Sequence, residues 1–339
     1  MRVLYAIQGT GNGHLSRARD VVPILQEHAE VDLLISGTQS QVAFPWEFKY
    51  RFRGFSFQYN HKGGISYRRS ARNSFSNRLI REVRKLPIEQ YDLVINDFEP
   101  ISAWAARWRK VPSIALGHQA SFRSELVPRP GKRDRFGEWV LRRYAPTDHA
   151  IGFHFKAYDR HIYTPVIRQE IRELQTSDQG YYTVYLPAVG DKRLIKALQQ
   201  LPQADWQVFS KETKTAYRQQ NVWVQPVHNQ RFIHSLAHAT GLLTGGGFES
   251  PAETLYLGKK LFAIPIRGQY EQQCNAAALA RMGVPVAPDL SALTIDRLRF
   301  WVDEDEPIQV DYLDQTQEVI QHLFAYHTVR RDLASPLTA

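Results

Sequence analysis

Residues 242–250 read LLTGGGFES, a short apolar run followed by three successive glycines. Pro251, a residue suited to the first turn of a helix, comes next, so the stretch predicts a strand, a glycine loop and a helix that begins at Pro251. The free amides at such a helix start favour an anion, and a diphosphate is the natural ligand. A capping role for Glu249 or Ser250 would explain one residue but not the glycines. We therefore predict a diphosphate site formed by Gly246, Gly247, Phe248, Glu249 and Ser250.

A second glycine-rich loop lies near the amino terminus. The apolar run from Val3 to Ile7 is followed by the loop Gly9-Thr10-Gly11-Asn12-Gly13-His14 and by apolar residues at helical spacing. The pattern again predicts strand, loop and helix, which places the loop at the carboxyl end of a parallel sheet, where ligands bind. Its glycines lack the spacing of the dinucleotide-binding fingerprint, because His14 stands where the third glycine would be. From the residues alone, His14 is either a catalytic group or a polar cap over the sheet edge.

Short buried runs alternate with helical patterns through the chain, and the alternation starts again at Tyr181. Alternation of this kind predicts the α/β class, with parallel sheets covered by helices on both faces. At roughly 150 residues per domain, a chain of 339 residues is expected to form two domains. We predict an amino-terminal domain over 1–162, a linker over 163–180, a second domain over 181–312, and a carboxyl-terminal helix and tail over 313–339 that could pack back on the first domain.

Composition excludes several classes of protein. Hydrophobic residues make up 43% and charged residues 23% of the chain, which is ordinary for a globular protein. The single cysteine, Cys274, excludes an internal disulfide and a four-cysteine zinc site, and we expect it to pack in the core. No stretch has the length and apolar character of a signal-peptide core or a membrane span, so we expect a cytoplasmic protein.

The net charge of +9 raises nucleic acid, an anionic membrane and an acidic small molecule as partners. The segment 49–85 holds eleven basic residues and one acidic residue, interleaved with aromatic residues. Such a segment fits an anionic membrane surface or an acidic or lipid-linked substrate, and a solvated basic face is the alternative. Because the surplus lies in the first half, away from the predicted diphosphate loop, we do not expect nucleic acid to be a partner.

A third cluster, Glu271-Gln272 followed by Asn275-Ala276, completes a set of motifs in a fixed order. The set resembles the donor-binding signature of glycosyltransferases of the GT-B fold, and the loop ending at His14 resembles their amino-terminal loop. The resemblance extends over most of the chain, to the bacterial lipid-linked muramyl peptide N-acetylglucosaminyltransferases and to the UDP-glycosyltransferases. It implies two Rossmann-like domains whose parallel sheets face each other across a cleft.

The resemblance also implies roles for individual residues. His14 matches the general base of many members, and Asp97, which follows a strand, would orient it; the alternative for Asp97 is to cap the next helix. Glu253 matches the carboxylate that binds the ribose hydroxyls of the nucleotide. Glu271 and Gln272 match the pair that holds the donor sugar. The other nucleotide and diphosphate contacts would come from Gly11, Asn12, Gly13, Val227 and the residues from Gly246 to Ser250.

Two departures from the family pattern affect these assignments. Glu249 stands where many members carry asparagine, and because a carboxylate would repel a diphosphate, we predict that its side chain points away as a helix cap. Many retaining members carry two glutamates eight residues apart. Here Leu257 and Leu261 stand eight residues after Glu249 and Glu253, which favours inversion.

We therefore expect an inverting, metal-independent hexosyltransferase that moves a sugar from a UDP-sugar to a hydroxyl of a lipid-linked or acidic acceptor. No cofactor is expected beyond the nucleotide sugar. Imidazole has an ordinary pKa of about 6.5, which suits a base at neutral pH. A GT-B-like nucleotide-sugar hydrolase is the alternative, because the stretch from Gly13 to Arg17 also resembles such enzymes. A basic nucleic-acid-binding protein is a second alternative, supported by charge alone. We expect peripheral association with the inner face of the membrane.

Overall fold

The computed structural model describes residues 1–10, 12–37, 44–53 and 77–334. Within these ranges the first half of the chain forms one sheet, with strand order β3-β2-β1-β4-β5-β6-β7 and parallel pairing throughout. Its strands are β1 (Arg2–Gln8), β2 (Glu30–Ser36), β3 (Tyr50–Phe52), β4 (Leu93–Asp97), β5 (Ser113–Gly117), β6 (His149–Phe153) and β7 (Ile162–Tyr163).

The second half forms another sheet, with strand order β10-β11-β9-β8-β12-β13. Its pairs are parallel except for the edge pair β10 and β11, which is antiparallel. The strands are β8 (Tyr181–Tyr185), β9 (Asp205–Ser210), β10 (Tyr217–Gln219), β11 (Val222–Pro226), β12 (Gly241–Thr244) and β13 (Lys260–Ala263). The α/β class with two parallel sheets, predicted from the alternation of buried runs and helices, is confirmed.

Helices connect the parallel strands. They are α1 (Gly13–His28), α2 (Asn77–Lys85), α3 (Pro100–Arg109), α4 (Arg135–Arg143), α5 (Gln169–Arg172), α6 (Asp191–Leu198), α7 (Asn229–His238), α8 (Glu249–Tyr256), α9 (Tyr270–Arg281), α10 (Ala292–Asp303) and α11 (Thr316–Ala334). None of the helices in the described ranges combines the length and the apolar character needed to cross a membrane.

The sheet order places the loops that carry the predicted site. In the first sheet, β1 lies between β2 and β4, and in the second, β8 lies between β9 and β12. At such points the connections leave a sheet in opposite directions, and a crevice opens at the carboxyl ends of the strands. The loops after β1 and β4 and the loop after β12 all start at these ends.

One core cluster joins the two halves. Leu15, Ala18, Val22 and Leu25 have the helical spacing seen in the sequence, and all four are buried on one face of α1. The same cluster includes Leu255 of α8 and residues of α11 such as Leu323. The ring of Phe324 also lies 5.2 Å from that of His28, so α11 packs on the first half of the chain.

Candidate active site

A cleft with a volume of about 1290 Å³ separates the carboxyl edges of the two sheets. Of the predicted residues, Gly11 lies outside the described residues, and neither Asp97 nor Gly246 lines the cleft wall. The predicted residues that line it are Asn12, Gly13, His14, Val227, Gly247, Phe248, Glu249, Ser250, Glu253, Glu271 and Gln272. The fold therefore brings together residues that are more than 200 positions apart in the sequence.

His14 and Asp97 form a hydrogen-bonded pair on the amino-terminal side of the cleft. His14 is the second residue of α1, and Asp97 ends β4, the neighbour of β1. His14 Nδ1 lies 2.9 Å from Asp97 Oδ1, and the carboxylate is fully buried. If the carboxylate accepts from Nδ1–H, the lone pair of the imidazole is on Nε2. Glu99, not Asp97, caps α3, because its oxygens accept from the amides of Ile101 and Ser102.

Asp97 has a second partner, Arg17, that the sequence did not reveal. Arg17 Nη2 donates to Asp97 Oδ1 at 2.8 Å and to Oδ2 at 2.7 Å, and the arginine side chain is almost fully buried. Burial alone would raise the pKa of the Asp97 carboxyl, but the charge of Arg17 and a smaller effect of His14 hold it below its usual value. Asp97 is therefore an anion at neutral pH.

Gly117, the last residue of β5, encloses this cluster and provides a test of it. A Cβ atom on Gly117 would lie 2.4 Å from Asp97 Oδ1 and 3.3 Å from Arg17 Nη2. We expect Gly117→Ala to displace the carboxylate, to destabilise the protein by about 1–3 kcal/mol, and to remove the contact with His14. Thermal unfolding measures the loss. Gly131→Ala is the control, because a Cβ atom there meets nothing within 4 Å. Equal stability of the two variants would contradict the packing described here.

The glycine loop after β12 leads into α8, but the side chain of Glu249 does not cap this helix. The helix begins at Glu249, two residues earlier than the sequence predicted, and its first turn has no side-chain cap. Glu249 Oε1 instead accepts a hydrogen bond from Arg17 Nη1 across the cleft. The predicted cap is wrong, because Arg17, a buried cation on the opposite domain, binds the carboxylate of Glu249. Burial raises the pKa of Glu249 to about 7, although Arg17 opposes the shift.

Gln272 and Asn275 of α9 support the glycine loop from behind. Gln272 Oε1 accepts from the amides of Gly246 at 3.2 Å and Ile266 at 2.9 Å, and Asn275 Nδ2 donates to the carbonyl of Gly246 at 3.0 Å. Both polar groups of the Gly246 backbone therefore point into the protein. Among the predicted diphosphate residues, Gly246 shapes the loop, which leaves the next residue, Gly247, facing the cleft.

A substitution at Gly247 is expected to affect ligand binding without affecting folding. A Cβ atom on Gly247 would meet nothing within 4 Å, whereas one on Gly246 would lie 2.5 Å from the carbonyl oxygen of Gln272. We expect Gly247→Ala to change the free energy of unfolding by less than about 0.5 kcal/mol, as for open sites. We expect it to weaken UDP binding about tenfold or more, because the methyl group would occupy the space predicted for the diphosphate. Isothermal titration calorimetry measures the affinity, and an unchanged affinity would show that the diphosphate does not bind at Gly247.

Phe248 contacts the opposite half of the chain. Its ring stacks on that of His118 with 3.8 Å between centroids and 7° between planes. His118 follows β5, and its Nδ1 lies 2.9 Å from the carbonyl oxygen of Phe153, while its Nε2 lies 2.8 Å from the side chain of Asn275. These contacts hold the loop before α8 against the amino-terminal domain.

Glu253 is buried against a residue of the predicted linker. Arg168 Nε donates to Glu253 Oε1 at 2.5 Å and Nη2 donates to Oε2 at 2.9 Å, with side-chain exposures of 9% and 3%. A carboxylate has about four lone-pair positions, so each oxygen retains one for another donor such as a ribose hydroxyl. Both acidic residues of the first turns of α8 are thus paired with an arginine from outside the second sheet.

Glu271 and Val227 complete the cleft. Gln119 Nε2, from the amino-terminal domain, donates to Glu271 Oε1 at 3.1 Å, and burial raises the pKa of Glu271. Val227 directly follows β11, and its amide donates to the carbonyl of Ser210 at 3.1 Å. Cys274 is buried in the core as predicted, and burial raises the pKa of its thiol to about 12. Within the described residues, no group of three or more His, Cys, Asp or Glu side chains is placed to hold a metal ion.

The family assignment follows from the sequence as a whole. The sequence model of glycosyl transferase family 1 matches residues 1–304. The chain belongs to this family. No protein of curated function matches the sequence. The family match contains both sheets and every predicted site residue, and the GT-B resemblance drawn from the loops is confirmed.

Solved structures show the same fold at low sequence identity. UGT89C1 from Arabidopsis thaliana, in complex with UDP, is 15% identical, with a TM-score of 0.58 and coverage of 96% of this chain and 94% of the other. MurG from Acinetobacter baumannii is 14% identical, with a TM-score of 0.52 and coverage of 97% and 99%. A UDP-N-acetylglucosamine 2-epimerase is 13% identical, with a TM-score of 0.55 and 98% coverage of both chains. The two-domain GT-B architecture is therefore shared, and the chemistry depends on the residues in the cleft.

Proposed function

We propose that this protein is an inverting glycosyltransferase that moves a sugar from a UDP-sugar to an acceptor hydroxyl. One observation carries the proposal: His14, which is hydrogen-bonded to Asp97, and the amino terminus of α8 line the same cleft from opposite domains. A donor whose diphosphate lies at α8 and an acceptor whose hydroxyl lies at His14 would meet in this cleft. The Arabidopsis enzyme UGT89C1 has been solved with UDP and with UDP-L-rhamnose, which supports a UDP-sugar as donor.

The proposed reaction is a single displacement. His14 Nε2 takes the proton from the acceptor hydroxyl while the acceptor oxygen forms a bond to the anomeric carbon of the sugar. The bond from that carbon to the diphosphate breaks, its electron pair stays on the diphosphate, and UDP leaves. Attack from the side opposite the diphosphate inverts the anomeric carbon. The amides at the start of α8 stabilise the leaving diphosphate, so we propose that the reaction needs neither a metal ion nor a further cofactor.

Donor and acceptor can be tested in turn. A panel of nucleotides and nucleotide sugars, screened by thermal shift, identifies the donor, because a ligand that binds only the native state raises the unfolding temperature. We expect UDP and one or more UDP-sugars to produce a shift. UDP release is then measured with and without hydroxyl acceptors. Release that depends on an acceptor supports transfer. Release of UDP and free sugar in equal amounts without acceptor would establish the nucleotide-sugar hydrolase instead, and no binding of any nucleotide would refute both.

We also propose that the acceptor is lipid-linked and that the protein docks on an anionic membrane at the inner face of the cell membrane. Residues 54–76 of the basic aromatic segment 49–85 lie outside the described residues. The surface of α4 supports the proposal independently: Phe136 and Trp139 stack there at 5.9 Å and are 41% and 49% exposed. Exposed basic residues flank them in the sequence, namely Lys132, Arg133, Arg135 and Arg143, of which Arg133 is paired with Glu125. Gly137, Val140 and Leu141 of the same helix line the cleft, so this patch is beside the acceptor side.

Flotation with liposomes tests the membrane surface. We expect the protein to float with vesicles that contain anionic lipid, and Trp139→Ser to reduce the bound fraction severalfold, because aromatic and basic residues together bind such surfaces. Trp108→Ser is the matched control, since Trp108 on α3 is also 49% exposed. Equal binding of the two variants, or no binding to anionic vesicles, would refute docking through α4.

A further inference from the structure

Arg17 connects the base on one side of the cleft to the donor helix on the other. It lies on α1, three residues after His14, and only 2% of it is exposed. Its Nη2 donates to both oxygens of Asp97, and its Nη1 donates to Glu249, the first residue of α8. Since Asp97 also contacts His14, four side chains form one continuous hydrogen-bonded chain across the cleft.

The charges of these four hydrogen-bonded side chains suit a base that takes up one proton. Asp97 and Glu249, when ionised, contribute two negative charges and Arg17 one positive charge. The sum is therefore −1 with a neutral imidazole and zero with an imidazolium. Without Arg17 the same groups would sum to −2, a charge that favours the protonated imidazole more strongly. Without Glu249 they would sum to zero, and the imidazolium would be less stabilised.

We propose that Arg17 is a positioning residue that sets the proton affinity of His14 through Asp97 and links it to the donor-binding end of α8 through Glu249. The inference deepens the proposed function and rests on it for the role of His14 as the base. A diphosphate at α8 adds negative charge close to Glu249 and Arg17. It would raise the proton affinity of His14 once the donor is bound, which is when the acceptor proton must be taken up.

Other titratable side chains surround the four residues. Within the described residues, the other titratable side chains that act on them are Tyr5 of β1, His118 after β5, Arg168 before α5, Glu253 of α8 and Glu271 of α9. Arg168 neutralises Glu253, and Gln119 donates to Glu271. Arg17 is thus the cation in direct contact with both Asp97 and Glu249 in the described part of the chain.

The test measures the midpoint of the His14 titration by NMR of the imidazole C2–H signal, in ligand-free protein. The signal is assigned by its loss in His14→Gln. We expect Arg17→Met to move the midpoint upward by about one pH unit, because the charge of Asp97 is no longer compensated. We expect Glu249→Gln to move it downward by a smaller amount, because burial already leaves Glu249 partly protonated near pH 7. Arg17→Lys, which retains the charge, should move it less than Arg17→Met.

Glu212→Gln is the control, because Glu212 lines the same cleft beside Gly190, away from the four residues. It should leave the midpoint unchanged. Opposite shifts in Arg17→Met and Glu249→Gln support the proposal, and shifts of the same sign or of less than 0.2 pH unit refute it. If Arg17→Met does not fold, Glu249→Gln decides alone, since it leaves the contact between Arg17 and Asp97 in place. The titration needs no substrate, so the proposal can fail or succeed independently of sugar transfer. Once a donor is known, the acidic limb of the kcat/KM profile should move in the same directions.

Discussion

His14→Asn is expected to lower kcat by a factor of about 10² to 10⁴, the usual contribution of a positioned general base. Asparagine retains a polar side chain but cannot take a proton from the acceptor. Because the amides of α8 that are proposed to bind the diphosphate are unchanged, the affinity for UDP should stay within about twofold of the wild-type value, which separates this variant from a donor-binding variant. Steady-state kinetics with saturating donor and acceptor measures the first quantity, and calorimetry with UDP the second.

His234→Asn is the control for this experiment, because His234 lies on the exposed surface of α7. It should match the wild type in both measurements. Asp97→Asn should fall between the two, since it keeps the shape of the contact with His14 but removes the charge. Full turnover in His14→Asn would refute its assignment as the base.

Arg168→Met is expected to destabilise the protein by about 3–5 kcal/mol, because it leaves the buried carboxylate of Glu253 without a partner. Urea unfolding monitored by tryptophan fluorescence measures the loss. The double variant Arg168→Met with Glu253→Met should recover most of the stability, since no buried carboxylate is left without a partner. Glu170, which also contacts Arg168, is 27% exposed and lies 3.8 Å from Arg19. The affinity of the double variant for UDP should nevertheless be lower than that of the wild type, because the carboxylate proposed to hold the ribose is missing.

An exposed ion pair provides the comparison for Arg168. Arg218 and Asp205 lie 2.6 Å apart with side-chain exposures of 61% and 59%. Arg218→Met should cost less than about 1 kcal/mol, because solvent screens exposed pairs. If Arg168→Met and Arg218→Met are equally stable, the buried pair of Arg168 and Glu253 stabilises the protein no more than an exposed ion pair does. If the double variant binds UDP as the wild type does, Glu253 does not contact the ribose.

The pairing of His14 with Asp97 was implied by the family resemblance, whereas the positions of the two residues after short buried runs follow from local patterns. His14 follows the loop after β1 and Asp97 is the last residue of β4, and the carboxyl ends of adjacent parallel strands meet at one edge of the sheet. The register confirms the geometry: Ile7 of β1 pairs with Asp97 of β4, which places the aspartate beside the loop that leads to His14. The glycine loop before α8 could be found for the same reason, although the start of the helix was misplaced by two residues.

The two buried arginines could not be predicted in this way, because their partners are distant in the chain. Arg17 and Glu249 are 232 positions apart, and Arg168 and Glu253 are 85 positions apart. A signal was present for Arg17, which follows His14 by one turn of α1, between Leu15 and Ala18 of the buried face. A charged residue in such a position needs a partner of opposite charge. Arg168 gave no comparable signal, because it lies in a polar segment that was interpreted as a simple linker.

A single displacement inverts the anomeric carbon, so the anomeric configuration of the first product is the most direct test of the proposed reaction. Wild-type protein is supplied with an α-linked UDP-sugar and with either a hydroxyl acceptor or water as the nucleophile. Proton NMR then identifies the anomer that forms first, before any free sugar equilibrates between its anomers. We predict that the β-anomer forms first, because attack comes from the side opposite the diphosphate. Initial formation of the α-anomer would contradict it.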